Sequence, residues 1–387
     1  METYKLSDLC EILDSKRKPL SALQRAKKQG IYPYYGAQGI IDHLDEYLLD
    51  GEYLLVAEDG ANLETRNQPI ANIAKGKIWV NNHAHVLGSN GKCPLNLLGF
   101  ILNNMNISPY VTGCAQPKLN QENLRNIEIE LPSHIDSIAS ILSSLDRKIE
   151  LNNKINADLE EMGKAIFKNW FVDFEPFRDG KFVDSELGMI PEGWKVGTIG
   201  DIVEFQNGFT FSSKDFSENG EYKIITIKSV QDGCLVTEGS SKVTEYPTKM
   251  PAYCKLQSGD ILLSLTGNVG RCCLVTETNL LLNQRVAKIK AKECYDNSFS
   301  YALFRLKETK ELLISISRGT AQANLSPVEA SKLPMVIPSE DARKSFSMIS
   351  DSIMNKIISI HIENSRLSTL RDTLLPRLMS GELEVPE

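Results

Sequence analysis

The chain has 387 residues, 43 Lys and Arg against 50 Asp and Glu, a net charge of −7, and 42% hydrophobic residues. That length suits two or three domains, the apolar content excludes disorder, and the acid excess excludes a polybasic coat for nucleic acid. No apolar run approaches the roughly 18 residues of a membrane span and no signal peptide opens at Met1, so a soluble, cytoplasmic protein is expected.

Through residues 1–132 short β-type runs alternate with turn residues, as in Glu52-Tyr-Leu-Leu-Val-Ala before Glu58-Asp-Gly. Leu95 to Leu102 reads as a helix. His83 and His85 flank Ala84 and share one face of a strand. No acidic or thiol partner stands at metal-ligand spacing, so no metal is expected. Glu128 and Glu130 alternate before Leu131-Pro132 and read as a solvated strand face, not a nuclease centre. From Ile135 apolar residues recur at heptad spacing. One row holds Ile135, Leu142, Ile149 and Asn156, and the other Ile138, Leu145, Asn152, Leu159 and Ile166. Ser133 or Asp136 can cap this helix. Phe167, Trp170, Phe171 and Phe174 form an apolar anchor that packs the helix end or meets a partner, with packing favoured because buried aromatics are usually core.

The chain then repeats itself. Gly113-Cys-Ala-Gln-Pro-Lys-Leu-Asn matches Gly319-Thr-Ala-Gln-Ala-Asn-Leu-Ser without a gap, and the same spacing carries Leu131-Pro132 onto Ile337-Pro338. Leu49-Asp-Gly-Glu-Tyr-Leu-Leu resembles Gln257-Ser-Gly-Asp-Ile-Leu-Leu, and Tyr4-Lys-Leu-Ser-Asp-Leu resembles Trp194-Lys-Val-Gly-Thr-Ile. Matches kept in order along the chain make two copies of one unit. In the second copy, over residues 191–338, Asp260-Ile-Leu-Leu-Ser-Leu precedes Thr266-Gly-Asn, and Phe299 to Ile316 reads as one helix. A second amphipathic helix carries Phe346, Ile349, Ile353, Ile357, Ile360, Leu367, Leu370 and Leu374, with Pro376 marking its end. Asn156 maps onto Asn364, so both copies place Asn on the seam, where it can fix register. A helix of about 35 residues spans about 50 Å and cannot bury its stripe in a small domain. The expected fold is therefore α+β: two globular parts joined by a pair of long antiparallel coiled-coil helices, with a pseudo-twofold internal repeat. The residues expected to pair the helices are Leu145, Ile149, Asn156, Leu159, Ile357, Ile360, Asn364 and Leu367.

Catalytic signatures are missing. There is no Walker A sequence, no G-x-G-x-x-G after a strand, no G-x-S-x-G elbow and no H-E-x-x-H. The eight cysteines show no C-x-x-C spacing and read as free thiols. A binding protein is favoured over a single-chain nuclease or methyltransferase. The excess negative charge is uneven: residues 1–132 carry net −2, 133–190 net −4, 191–338 net +1 and 339–387 net −2. The globular parts are near neutral and can each present a basic face. Loops rich in amide, hydroxyl and basic groups supply the contact candidates, because Asn and Gln pair with adenine, Arg with guanine, and Lys with phosphate. In the first copy these are Tyr35, Gln38, Asn81, Asn82, His83, Gln116 and Lys118. In the second they are Asn207, Thr266, Asn268, Arg271, Asn283, Gln284, Arg285, Gln322 and Asn324. A coiled-coil scaffold that binds only protein partners is the competing reading.

Three stretches carry a resemblance. Leu187-Gly-Met-Ile-Pro-Glu-Gly-Trp-Lys resembles the entry to a second target-recognition domain in the specificity subunits of type I restriction–modification enzymes. Lys164-Ala-Ile-Phe-Lys-Asn-Trp-Phe-Val-Asp-Phe-Glu-Pro resembles the end of their central conserved helix, and Leu374-Leu-Pro-Arg-Leu-Met-Ser-Gly-Glu-Leu the end of their distal one. The resemblance covers essentially the whole chain. It implies a target-recognition domain at 1–132, a central helix at 133–175, a linker at 176–190, a second target-recognition domain at 191–338 and a distal helix at 339–383. It further implies a subunit without an active site. Each domain would read one half of a split site in double-stranded DNA, and the helices would set the spacing and dock two methyltransferase subunits. Those subunits would use S-adenosylmethionine, and motor–nuclease subunits would use ATP and Mg; this chain would bind no cofactor itself.

Overall fold

The structure, a computed structural model, describes residues 2–113, 116–132, 134–319 and 323–383. The chain divides into two compact units, residues 1–149 with 367–387, and residues 150–366. The first copy runs β1 (Glu2–Lys5), α1 (Leu6–Leu9), β2 (Cys10–Ile12), α2 (Ala22–Ala26), β3 (Gln29–Gly36), β4 (Gly39–Leu44), β5 (Leu49–Ala57), α3 (Asn62–Thr65), β6 (Ala71–Val80), β7 (Ala84–Ser89), α4 (Leu95–Asn104), α5 (Gln121–Arg125) and β8 (Glu128–Leu131). The long helix α6 (Ile135–Phe171) follows, then β9 (Phe182–Val183) and β10 (Ile190–Pro191). The second copy runs β11 (Lys195–Thr198), α7 (Ile199–Ile202), β12 (Val203–Asn207), β13 (Tyr222–Ile225), β14 (Lys242–Val243), β15 (Lys255–Leu256), β16 (Ile261–Ser264), β17 (Cys272–Leu274), β18 (Leu280–Leu282), β19 (Val286–Ala291), α8 (Asn297–Arg305), α9 (Lys307–Ser315), α10 (Pro327–Ser331), β20 (Pro334–Ile337) and α11 (Glu340–Met379).

In the first unit six strands line up as β2-β7-β5-β6-β3-β4, antiparallel except for the β3–β6 pair. Leu54 to Ala57 of β5 are buried, and α4 covers Leu54, Val56 and Ala57 with Leu97, Leu98 and Leu102, while Leu55 packs on the other face with Ile78 and Val86. Arg66 closes the end of α4 by donating from Nη2 to the carbonyls of Leu102 and Asn103, at 2.9 and 2.6 Å. Asn103 in turn accepts from the N–H groups of Ile70 and Ala71 and so sets the start of β6. In this unit the first turns of α6 and the last turns of α11 finish the core through Ile138, Leu142, Leu375 and Leu378.

The second unit repeats this sheet in pieces. Its strands β12-β19-β16-β17 follow the order and antiparallel sense of β2-β7-β5-β6, and β14-β13-β18-β15 follow β4-β3-β6-β5, with β13–β18 parallel like β3–β6. β5 and β6 are thus each broken in two in the second copy. In β5 and β6, Gly51 faces Gly76 and both take positive φ without interrupting the ladder. In the second copy Gly259 and Asn279 take the left-handed conformation between the half-strands, so each chain turns out of the ladder there.

Several expectations need correction. Phe299 to Ile316 is not one helix: Leu306 is extended, and α8 and α9 meet there. Phe304 and Leu313, on opposite sides of a continuous helix, are both buried because of the break. Pro376 lies inside α11, where it removes only one donor of the last turn, and the chain leaves the helix at Gly381, φ +75°. Ile349 and Leu370 are 44% and 46% exposed. The packed stripe passes instead through buried Ser350, which donates to Ser298 at 2.6 Å, and half-buried Arg371, which meets Asp146 at 2.8 Å. Residues 176–190, expected as a linker, hold Phe177 and Phe182 against Trp194 and Phe174, and a short β9–β10 ladder. Phe167 and Phe171 are buried against Phe299 and Phe346 in the core of the second unit.

Candidate nucleic-acid interface

In the first unit three connections meet at one corner: residues 58–61 after β5, the 81–83 turn between β6 and β7, and residues 112–113 with 116–118. Backbone bonds close it. Glu58 N–H donates to the His83 carbonyl (2.9 Å), Leu119 N–H to Glu58 (2.8 Å), Gly60 N–H to Pro117 (3.1 Å) and Asn81 N–H to Tyr35 (3.0 Å). Thr112 and Lys118 exchange both of their backbone bonds, at 2.8 and 2.7 Å.

The second unit builds the same corner. Leu265 N–H donates to Arg285 (3.0 Å), Leu325 N–H to Leu265 (2.8 Å), Gly267 N–H to Ala323 (2.9 Å) and Asn283 N–H to Ile225 (3.1 Å). Arg318 and Asn324 exchange bonds at 2.9 and 2.8 Å. By these closures Asn81, Asn82 and His83 correspond to Asn283, Gln284 and Arg285. Asp59 corresponds to Thr266 and Lys118 to Asn324. The first of these correspondences escapes an ungapped comparison, because the broken strands of the second copy change the spacing between the matched segments.

The side chains differ where the backbones agree. In the first corner the His83 ring bonds Asp59 (Nδ1 to Oδ2, 2.8 Å), and Lys118 pairs with Glu58 at 3.2 Å. Asn82, His83, Gln116 and Lys118 are exposed together, with Gln38 exposed in the neighbouring β3–β4 turn and Tyr35 half-buried at the end of β3. Asn81 points inward instead: it is buried and its Oδ1 accepts from His83 N–H at 2.8 Å. In the second corner Thr266 is also buried, donating to Asn324 Oδ1 at 2.8 Å. Polarity in a turn reads alike whether it faces solvent or closes the turn. Gln284 accepts from Thr210 at 2.6 Å, and Arg285 is exposed. Asn283 is half-buried. Asn268 and Arg271 lie in the β16–β17 turn, where the Arg271 guanidinium donates to Gln231. Asn207 ends β12, and its carbonyl accepts from Tyr253 at 3.1 Å. Gln322 lies outside the described residues. Thr210, Lys228, Gln231 and Arg318 at or near the second corner went unnoticed in the sequence, since no pattern marks a lone polar residue in a loop.

Behind the first corner stands a buried polar cluster. Fully buried His85 meets Asp14 Oδ2 through Nδ1 (2.6 Å) and the Leu119 carbonyl through Nε2 (2.7 Å), so both ring nitrogens are engaged. Arg17 reaches Glu58 at 2.5 Å and Asp14 at 3.2 Å. Burial pushes the Asp14 and Glu58 carboxyls up. Hydrogen bonds from His85 and Val86 N–H to Asp14, and from Arg17 and Lys118 to Glu58, outweigh it and hold both below the ordinary range. Asp14, Glu58 and His85 put ligand-type atoms within 4.8 Å of one another, which the local spacing around His83 and His85 did not suggest. Arg17 and Lys118 already neutralise these carboxylates, so the cluster works as a structural ion network.

The helical residues sort by unit. In the first, Leu145, Ile149 and Leu367 are half-buried. In the second, Ile357 and Ile360 are buried and Leu159 packs against the core. There Asn364 does not meet Asn156. Its Oδ1 accepts from Asn152 (2.9 Å) and its Nδ2 donates to Asn153 (2.8 Å). Asn156 is 6% exposed, and among the described residues neither its amide oxygen nor its nitrogen has a hydrogen-bond partner. Glu160 of α6 accepts from Arg305 (2.8 Å) and from Tyr301, tying the helix to α8 inside this unit.

Two copies of one α/β domain, each closed by the same loop corner and each followed by a long helix, define a class of duplicated recognition protein. The chain belongs to the family of the type I restriction modification DNA specificity domain, which it matches over residues 1–161 and 191–368. It is 29% identical over 283 residues to the type I restriction enzyme MjaIX specificity subunit of Methanocaldococcus jannaschii, covering 71% of this chain and 65% of that one, just under two thirds. It is 30% identical over 280 residues to a putative type I restriction enzyme specificity subunit of Haemophilus influenzae, covering 72% and 69%. The MjaVIII specificity subunit of M. jannaschii matches at 26% over 99% of this chain and 93% of its own. The fold is similar to the crystal structure of the type I restriction-modification system S subunit from M. genitalium, with a TM-score of 0.56 at 15% identity over 98% and 96% of the two chains. Among the described residues no helix is long and apolar enough to cross a membrane.

Proposed function

We propose that this chain supplies DNA sequence recognition to a type I restriction–modification complex without a catalytic centre of its own. Each globular part reads one half of a bipartite site. The paired helices separate the halves and dock two modification subunits, which bring S-adenosylmethionine, while restriction subunits bring ATP and Mg. The observation that carries this reading is the repeated corner: one backbone frame, closed by the same main-chain bonds, presenting Asn82, His83 and Lys118 in one copy and Gln284, Arg285 and Asn324 in the other. A protein that reads two unlike half-sites needs such a frame with exchangeable tips. The test is a methylation map of cells with and without the gene, joined to footprinting of the reconstituted modification complex. Two protected patches around an unprotected spacer, at the sites whose methylation depends on the gene, are expected. One unbroken patch, or none, overturns the reading.

A further inference from the structure

We propose that Arg285 is the side chain with which the second unit reads a guanine in DNA, with Lys228 holding a neighbouring phosphate. This inference rests on the DNA-recognition reading and assigns residues within it. A cleft of about 360 Å³ opens beside the second corner, lined among others by Thr226, Lys228, Ser229, Glu238, Asn283 and Arg285. Its polar lining is hydroxyl, amide and cation with Glu238 as its one acid, set beside the apolar Ile227 and Val236. Among the described residues the side chains of Lys228 and Arg285 make no ion pair or hydrogen bond, so both cations are available to an outside partner.

The root of Arg285 is fixed while its tip is free. Its carbonyl accepts from Leu265 N–H, Gln284 N–H donates to Phe209 (3.0 Å), Val286 N–H donates to Asn283 (3.0 Å), and β19 begins at the next residue. A guanidinium on a pinned backbone loses little freedom on binding. The first copy shows what would silence it. At the same backbone position His83 is held by Asp59, whereas the second copy has neutral Thr266 in place of Asp59, itself engaged by Asn324. The second corner therefore offers an unquenched fork of parallel N–H donors, which fits O6 and N7 of guanine in the major groove. A lysine ammonium lacks that fork but serves a phosphate.

The experiment maps methylation in cells carrying the full chain with its modification subunits, comparing wild type with R285A, R285K and K228A. R285A and R285K should each lose about tenfold to a hundredfold discrimination at one base position of one half-site, leaving the other half-site intact. K228A should lower methylation at all sites alike, with the motif unchanged. A wild-type motif with R285K shows that a point charge suffices and overturns the assignment. So does a uniform loss with R285A at an unaltered motif. Should R285A fail to accumulate, R285K alone decides. If the wild-type chain confers no methylation motif at all, the DNA-recognition reading itself falls; if the motif exists and ignores Arg285, only this assignment falls.

Discussion

Glu160 and Arg305 meet across 145 residues of chain, and their side chains are only 12% and 10% exposed. Removing one member of such a pair leaves a buried charge, so R305A should destabilise the second unit by about 3–5 kcal/mol, read as a lower denaturant midpoint. A change within about 0.5 kcal/mol would show that the pair is solvated in solution. The Asp14 cluster makes a prediction about pH. Asp14 and Glu58 are both held below their ordinary values. Their contribution is complete at neutral pH, above the unfolded carboxylate range near about 4, and is lost as pH falls through the folded values below it. Thermal melts of the wild type from pH 7 to pH 3 should show a steep acid loss. D14N should start with a lower Tm and fall less steeply. Parallel curves would rule out Asp14 as a source of the acid limb.

At the scale of elements, the helix seam of the second unit is asymmetric. The antiparallel register that sets Asn152 against Asn364 sets Asn156 against Ile360, which takes the repeat position of Asn152. One copy thus supplies an amide partner and the other a hydrocarbon. An unpaired buried amide costs about 1–3 kcal/mol, so N156L should raise the denaturant midpoint. I360N should also recover part of that cost by giving Asn156 a partner. A fall in stability with both variants would contradict the assigned register. The rows of heptad residues were legible because a long amphipathic helix repeats locally. The Asn156–Asn364 equivalence was legible too, but its consequence was not: symmetry of sequence positions does not fix which residues face each other across an antiparallel pair. The corners were half legible. The Gly113 and Gly319 loops align without a gap, whereas the 81–83 and 283–285 turns align only once the broken strands β15 to β18 are seen. Glu160 with Arg305, and Asp14 with His85, left no local trace, since tertiary ion pairs have no period.

For the whole molecule, the charge of −7 first spoke against nucleic acid. On the proposed reading, its distribution, with net −2 and +1 on the two globular parts, predicts weak DNA binding by the isolated chain with a shallow salt dependence. Adding the modification subunits should raise affinity and steepen the slope of log K against log salt; an equal slope would mean that this chain holds the phosphates alone. In the proposed reading the helices set the spacer. Inserting seven residues, about 10 Å of helix, into both α6 and α11 should lengthen the spacer by about three base pairs or abolish assembly. An intact complex with an unchanged spacer would reject the ruler. Exchanging residues 191–338 for another recognition domain should change one half-site only.

The corners are closed by main-chain groups, N–H to carbonyl, in both copies. No residue identity at the tip is required for those bonds to form. Mutations at positions 82, 83, 284 and 285 therefore draw little on the stability margin that purges most substitutions elsewhere. Such a corner is a place where selection can try new side chains one at a time while the fold survives each trial. Under the proposed reading, a lineage could thus revise its DNA target without passing through an unfolded ancestor.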